Sequence, residues 1–432
     1  MKQIGIQDQT YKNLWLAKDP TNNVLETVSN ILEDIKENGL TAVVKYVQKF
    51  EDPSKDEESL AVNQERLTEL ASHVDSEFIE SLEFAKRNIK KVAEAQLIHE
   101  KEISVVAGVT ILEKVIPLDS VAIYVPAGRF PLVSSMLMGV ITAQVANVSN
   151  IYVVTPKVCP LISAAASILN ISQVFEIGGA QAIGAFAYGA TGTQVSIPRV
   201  DKICGPGNAY VATAKELVSQ DGTGIDMVAG PTEYLALVTE DYFKKNPKAL
   251  TYICLDMLAQ AEHGPDSKVA LITNSKNVAE DTTRIIQKLL PQYPNSQKAI
   301  EDFGFIKICE NVNIAIDIAN ELAPEHIWVE DTRVADQIKN AGTILIGTYS
   351  SAGNSDYVDG PNHVLPTNLN AQMRGGLSVL DFIKVVSQHH ITDEGLKNLG
   401  RHGNNIGTKE GLIAHADSIR IRLEDLDEQQ KK

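Results

Sequence analysis

The chain is predicted to be an α/β protein. We expect two doubly wound, Rossmann-like units, preceded by a helical N-terminal region and followed by a small helical tail domain. Three observations carry this prediction. From about Ser120, short β-branched runs alternate with longer helical patterns. Those runs are continuously apolar, as parallel strands buried on both faces must be. The alternation also occurs twice in succession, within 432 residues that are too many for one ordinary core.

In the first series SVAIYVP, NIYVVTP, QVFEI, DKIC and DMVAG read as strands, and LVSSMLMGVITAQVAN, AQAIGAFAYG and NAYVATAKELVS as the helices between them. In the second, the strands are YLALVTE, KVALIT, FIKICE, HIWVED and TILIGT, alternating with helical segments such as KKNPKALTYICLDMLAQAE and NVAEDTTRIIQKLL. A charged, mostly helical region that includes NNVLETVSNILEDIKENGLTAVVKYVQKF comes first, and a polar, helical tail follows from about Leu380. The tail's IRIRL alternates like a small edge strand, which would need a neighbour in this chain or in a partner subunit. The expected division is an N-terminal arm over 1–20, an α/β domain from 21–118 together with 232–378, a second Rossmann-like α/β domain over 119–231, and the tail domain over 379–432.

Composition excludes several function classes. Thirty-nine Lys and Arg stand against 55 Asp and Glu, a formal charge of -16, and no basic block interrupts that field. It repels phosphate backbones, so nucleic acid is not an expected partner. The start, MKQIGIQDQTYKNLW, lacks the charged and then apolar pattern of a secretory signal, and a cytoplasmic location is expected. Between Arg129 and Arg199 the only charges are Lys157 and Glu176, but Pro131, Ser134, Gln144, Asn147 and Ser149 break up any span of about 20 apolar residues. A sheet covered by helices explains that stretch better than a membrane does. Cys159, Cys204, Cys254 and Cys309 lie far apart and are expected to be buried, reduced thiols. Cys204, just before a Gly-Pro-Gly turn, has a second reading as a nucleophile.

The dinucleotide signature GxGxxG is absent, but GGAQAIG and CGPGNAY each join a strand to a helix and so can offer backbone N–H groups to a phosphate. Plain turn glycines are the other reading. His263, His326, His363 and His415, four of nine histidines, sit at element ends or turns, where a scaffold presents functional side chains. Gln260 and His263 share a face at the end of a helical pattern that Pro265 stops. With a distant Asp and a further His they can form a nitrogen and oxygen ligand set. The alternative is a polar helix end. Glu325 and His326 are an adjacent acid and imidazole after Pro324, suited to divided acid and base duties or to a simple loop ion pair.

Taken together, these pieces resemble the histidinol dehydrogenase family. The phrases that carry the resemblance are VAIYVPAGRFPLVSSMLM, GGAQAIGAFAYG, DKICGPGNAYV, VAGPTE, LAQAEHGPDS, LAPEHI, DYVDGPNHVLPT, GLSVLDFIK and EGLIAHADSIRIRL, from about Ser120 to the tail. The resemblance implies a four-electron oxidation of L-histidinol through the aldehyde to L-histidine, with two NAD⁺ as oxidant. It implies Zn²⁺ held by Gln260, His263, Asp356 and His415, and an acid–base pair at Glu325 and His326. Thr232, His363 and Glu410 fall on substrate-contacting positions, alongside His326 and the four metal ligands. Tyr124, Gln181 and Asn208 fall on cofactor positions. It further implies a homodimer whose tail domain completes the site across the interface, the domain of 21–118 and 232–378 carrying most of the ligands. Ser355 and the segment QMRGGLSV depart from the family's usual pattern, which leaves room for another small alcohol such as a sulfonated diol. Glu410 favours an imidazole instead, because a carboxylate accepts from its N–H.

Overall fold

The apolar runs become parallel strands in the computed structural model, which describes residues 1–16, 24–127 and 130–429. Residues 17–20 of the expected arm, Arg129, and Lys431 and Lys432 of the tail lie outside the described residues. The chain divides into two units, Met1–Gln96 with Leu118–Phe382, and Leu97–Pro117 with Ile383–Lys432.

The first unit contains two six-stranded sheets. One has the order Gly224–Ile225, Lys202–Cys204, Ser120–Tyr124, Asn150–Thr155, Gln173–Glu176, Ala61–Asn63. Its first five strands are parallel and the last pairs antiparallel at the edge. The chain enters at Ser120–Tyr124, builds outward on one side, and returns to build the other. The order therefore reverses between Ser120–Tyr124 and Lys202–Cys204, the kind of point where doubly wound sheets bind ligands beyond their strand C-termini.

The other sheet has the order Lys2–Ile4, Phe305–Ile308, Lys268–Thr273, Glu233–Val238, His326–Val329, Thr343–Ile346, parallel throughout. Period-two geometry splits its central strand between two cores. Tyr234, Ala236 and Val238 pack with Cys254, Met257 and Leu258 of the helix Ala249–Ala261. Leu235 and Leu237 pack with Ala315, Ala319 and Leu322 of the helix Val312–Leu322 on the opposite face. Each fully buried leucine contributes roughly 1.5–3 kcal/mol. The charge-poor stretch is explained the same way: the helix Val133–Val145 is buried nearly all round. No described helix is long and apolar enough to cross a membrane.

Several expectations need correction. DMVAG is not a strand: only Gly224–Ile225 pairs, and Asp226 turns inward to a buried ion pair with Lys215. KKNPKALTYICLDMLAQAE is two helices, Glu240–Lys245 and Ala249–Ala261, because a residue before proline is excluded from helix and Asn246 precedes Pro247. Residues 21–96 share the first unit with both 119–231 and 232–378. The helices Leu25–Asn38 and Leu40–Phe50 bury Val28, Ile31, Ile35 and Val43 in the core of the first sheet, beside Ala182, Phe186 and Val211. Lys101–Val106 and Val109–Pro117 belong to the second unit.

That second unit is a three-stranded antiparallel sheet, ordered Ile383–Ile391, Val109–Pro117, Lys101–Val106, with two helices, Asp393–Lys409 and Ile413–Gln429. The tail thus begins with a strand, and IRIRL is helical. Ile419 and Leu423 pack over Gly403 and Gly400 of the preceding helix, a contact that fixes the helical spacing. Ile103, Val105, Val386, Ile406, Ile413 and Ile421 remain exposed.

Candidate active site

The strands of the second sheet begin with charge. Glu233 and Lys268 head adjoining strands, in register and fully buried, with their charged groups 3.6 Å apart. His326 heads the next strand over, opposite Tyr234, with Glu325 immediately before it. Helices of an α/β layer run against the strands, so the C-terminus of Ala249–Ala261 delivers Gln260 to this same edge, with His263 two residues past the helix end. The short helix Ala352–Tyr357 brings Asp356.

Distances tie these residues together. Gln260 Nε2 donates to Asp356 Oδ2 at 2.7 Å. Asp356 Oδ1 lies 3.4 Å from His326 Nε2, and Glu325 Oε2 3.8 Å from His326 Nδ1. Both imidazole nitrogens are buried, and neither makes a hydrogen bond of good geometry. Glu325 Oε2 accepts the Glu233 backbone N–H at 3.0 Å. His363 Nδ1 bonds the Asp356 carbonyl at 2.6 Å and its Nε2 reaches Ser135 Oγ at 3.0 Å. Thr232 directly precedes Glu233, and its carbonyl accepts the Lys268 N–H.

Burial dominates the electrostatics. It pushes the Glu325 carboxyl up to about 8, against the nearby His326. Burial disfavours charge on His326 too, but the carboxylates of Glu325 and Asp356 outweigh it and raise its pKa. The two groups titrate as a pair. Asp356 is held below the usual carboxylate range: burial opposes its ionisation, but His326, His363 and His263 prevail. The His263 ring reaches solvent, yet the protein packed around it lowers its pKa, with Asp356 opposing.

The sequence did not single out Glu233, Lys268 or Asp256. Burial pushes Glu233 and Asp256 each up to about 7. Oppositely charged residues opening two otherwise apolar runs, EYLALV and KVALIT, were the available signal.

Among the described residues no group of three or more His, Cys, Asp and Glu surrounds one point. The first unit brings together Gln260, His263 and Asp356, an amide, an imidazole and a carboxylate, whose donor chemistry suits a borderline divalent cation. His415 and Glu410 lie in the second unit. They do not share a helix: Glu410 caps the end of Asp393–Lys409, Gly411 turns with φ +80°, and His415 lies in Ile413–Gln429.

The candidate cofactor residues gather at the C-terminal edge of the first sheet, at its reversal point. Tyr124 ends its strand, and Gly205 crosses it with φ +119° so closely that a Cβ would meet the Tyr124 carbonyl at 2.1 Å. The Gly179 N–H donates to Tyr124 Oη at 3.3 Å, and Gln181 Nε2 donates to Glu51 Oε1 at 2.7 Å. Asn208 caps the helix Ala209–Gln220 by accepting from Tyr210 and Val211 N–H. Thus several backbone donors expected for a phosphate are already engaged. Cys204 is fully buried with its thiol pKa pushed far up, which argues against a nucleophile, whereas Cys159 is only half-buried.

Comparison with known proteins agrees with this fold. A model of the histidinol dehydrogenase family matches residues 16–423. The histidinol dehydrogenase of Aquifex aeolicus (strain VF5) is 39% identical, over 93% of this chain and 92% of its own. That of Listeria monocytogenes is also 39% identical, over 95% and 96%. The crystal structure of histidinol dehydrogenase from Elizabethkingia anophelis superposes with a TM-score of 0.91 at 31% identity, covering 99% of both chains. The reading as a dehydrogenase of another alcohol is not favoured. From the ordered run of matching phrases, the fold and the near full-length similarity it follows that this chain is an oxidoreductase of histidine biosynthesis and belongs to the histidinol dehydrogenase family.

Proposed function

We propose that the chain oxidises L-histidinol to L-histidine through the aldehyde, using NAD⁺ and a divalent zinc ion, as a cytoplasmic homodimer. The single observation that carries the chemistry is His326, whose two buried ring nitrogens make no protein hydrogen bond although they lie between the carboxylates of Glu325 and Asp356. A buried imidazole left without partners is costly unless something else supplies them. The substrate hydroxyl is that partner in our reading.

In its neutral form His326 takes the alcohol proton as the carbon–hydrogen bond breaks, and Glu325, held by the Glu233 N–H and ionised once the pH passes its raised pKa of about 8, then draws a proton from the water that attacks the aldehyde. His363, clamped between the Asp356 carbonyl and Ser135, lines the same edge with Thr232 and fixes substrate orientation. When bound, the nicotinamide supplies the hydride acceptor and the cation a Lewis acid for the substrate's imidazole and amino nitrogens. Gln260, His263 and Asp356 would hold that cation, with His415 of the partner subunit. Tyr124, Gln181 and Asn208 would hold the dinucleotide, and Glu410 would accept from the substrate imidazole. The exposed aliphatic side chains of the second unit support a dimer, because such faces are usually covered.

The test is the NADH yield per L-histidinol consumed by the dialysed, zinc-loaded protein. Two equivalents are expected, and a yield of one would reduce the reaction to a simple alcohol oxidation.

A further inference from the structure

Beyond the ends of Asn150–Thr155 and Gln173–Glu176 lies a cavity of about 250 Å³, lined by Glu51, Lys55, Pro156, Lys157 and Glu176 among others. It adjoins the strand next to Ser120–Tyr124, on the side built first. In doubly wound sheets of this order, that position faces the ribose of the first nucleotide, where an acidic side chain takes the ribose hydroxyls. No carboxylate ends the strand itself, whose sequence runs Thr155-Pro156-Lys157. Instead Glu51 arrives from outside the sheet, as the residue that ends the helix Leu40–Phe50.

Its placement is poor for stability. A carboxylate at a helix C-terminus meets the negative end of the dipole. Its Oε2 is also buried, against the Gly178 backbone, and makes no hydrogen bond of good geometry, while Oε1 accepts Gln181 Nε2 at 2.7 Å. Because an ionised carboxylate only accepts, that bond fixes the Gln181 amide with its NH₂ toward Glu51 and turns its carbonyl toward Gly179. Lys55 is committed to Glu176 at 3.1 Å and to the Ser59 carbonyl. Of the lining carboxylates, Glu51 holds the acceptor without a partner, suited to a donor such as a vicinal diol, with Lys157 as the exposed lining cation.

We propose that this cavity receives the adenosine ribose of the dinucleotide, Glu51 Oε2 accepting from its free hydroxyls, and that Glu51 thereby selects NAD⁺ over a cofactor phosphorylated on that ribose. The inference rests on the NAD dependence proposed above and names the residue that enforces it.

The test is calorimetric titration of the full chain with ADP-ribose and with its 2′-phosphorylated form, alongside cofactor kinetics. The unmodified protein should bind ADP-ribose at least about ten-fold more tightly, and Glu51→Gln should weaken ADP-ribose about ten-fold and narrow the gap, as expected when a charged acceptor is lost. The kinetic loss should fall on KM for NAD⁺ and not on KM for L-histidinol, a split that general destabilisation would not produce. Equal binding of the two ligands by the unmodified protein, which needs no variant to fold, overturns the proposal. So does an ADP-ribose affinity within about two-fold of normal in Glu51→Gln. If the unmodified protein does not reduce NAD⁺ at all, the cofactor reading itself fails. If it does and Glu51→Gln matches it, only the ribose assignment fails.

Discussion

The two parallel sheets present opposite edges to function. In the first, the candidate residues sit beyond the strand C-termini and are mostly neutral: Tyr124, Gln181 and Asn208. In the second they cluster at the strand N-termini and are mostly ionisable: Glu233, Lys268, Glu325 and His326. Helix direction explains the contrast. A strand's C-terminal edge meets helix N-termini, whose partial positive charge suits a polar or anionic ligand, while the opposite edge meets helix C-termini, whose partial negative charge suits cations. The end of Ala249–Ala261 thus favours a metal ion and a cationic amine beside Gln260 and His263. Under the proposed function, two similar layers used at opposite edges would each serve one half of the reaction.

That contrast can be broken one edge at a time. His326→Asn at the ionisable edge should lower kcat by roughly 10²–10⁴-fold, the usual span for a general base, with KM for NAD⁺ nearly constant. Steady-state kinetics check this, and an equal rise in KM for NAD⁺ would mean the edges are not separable. Removal of metal by a chelator should abolish L-histidinol oxidation while ADP-ribose binding persists, and zinc should restore activity. At the neutral edge, Asn208→Ala removes a helix cap, costing about 1 kcal/mol. It should raise KM for NAD⁺ several-fold, without the collapse in kcat expected of His326→Asn.

The smallest effect is on stability. Glu325 has a folded pKa raised from 4.5 to about 8, so the folded chain keeps a proton that the unfolded chain releases. That advantage is complete below the unfolded value and lost as pH rises through the folded one. Glu325→Gln, neutral throughout, should therefore melt close to the parent near pH 5 and higher near pH 8.5, by roughly 1 °C for each kcal/mol in a chain this size. A Tm difference that does not grow with pH would refute the buried, protonated carboxyl.

Much of this was legible in the sequence because it is local. Apolar runs such as VAIYV and YLALV specify buried parallel strands before any partner is known. Gln260, His263, Glu325 and His326 stood out through their neighbours Pro265 and Pro324. Other features depend on pairing across long separations. Lys101–Val106 and Val109–Pro117 read as an extension of the N-terminal region, yet their partner strand is Ile383–Ile391. IRIRL alternates like a strand but follows a helix whose glycines accept Ile419 and Leu423. The buried Glu233–Lys268 pair became visible only when the register set the two strand starts side by side.

The division of labour between His326 and Glu325 is the account's central claim, and single-turnover assays of the two half-reactions in Glu325→Gln test it most directly. The account predicts that NADH formation from histidinaldehyde falls by about 10²-fold or more while NADH formation from L-histidinol stays within about ten-fold of normal. Equal losses in both half-reactions, with zinc retained, would contradict it.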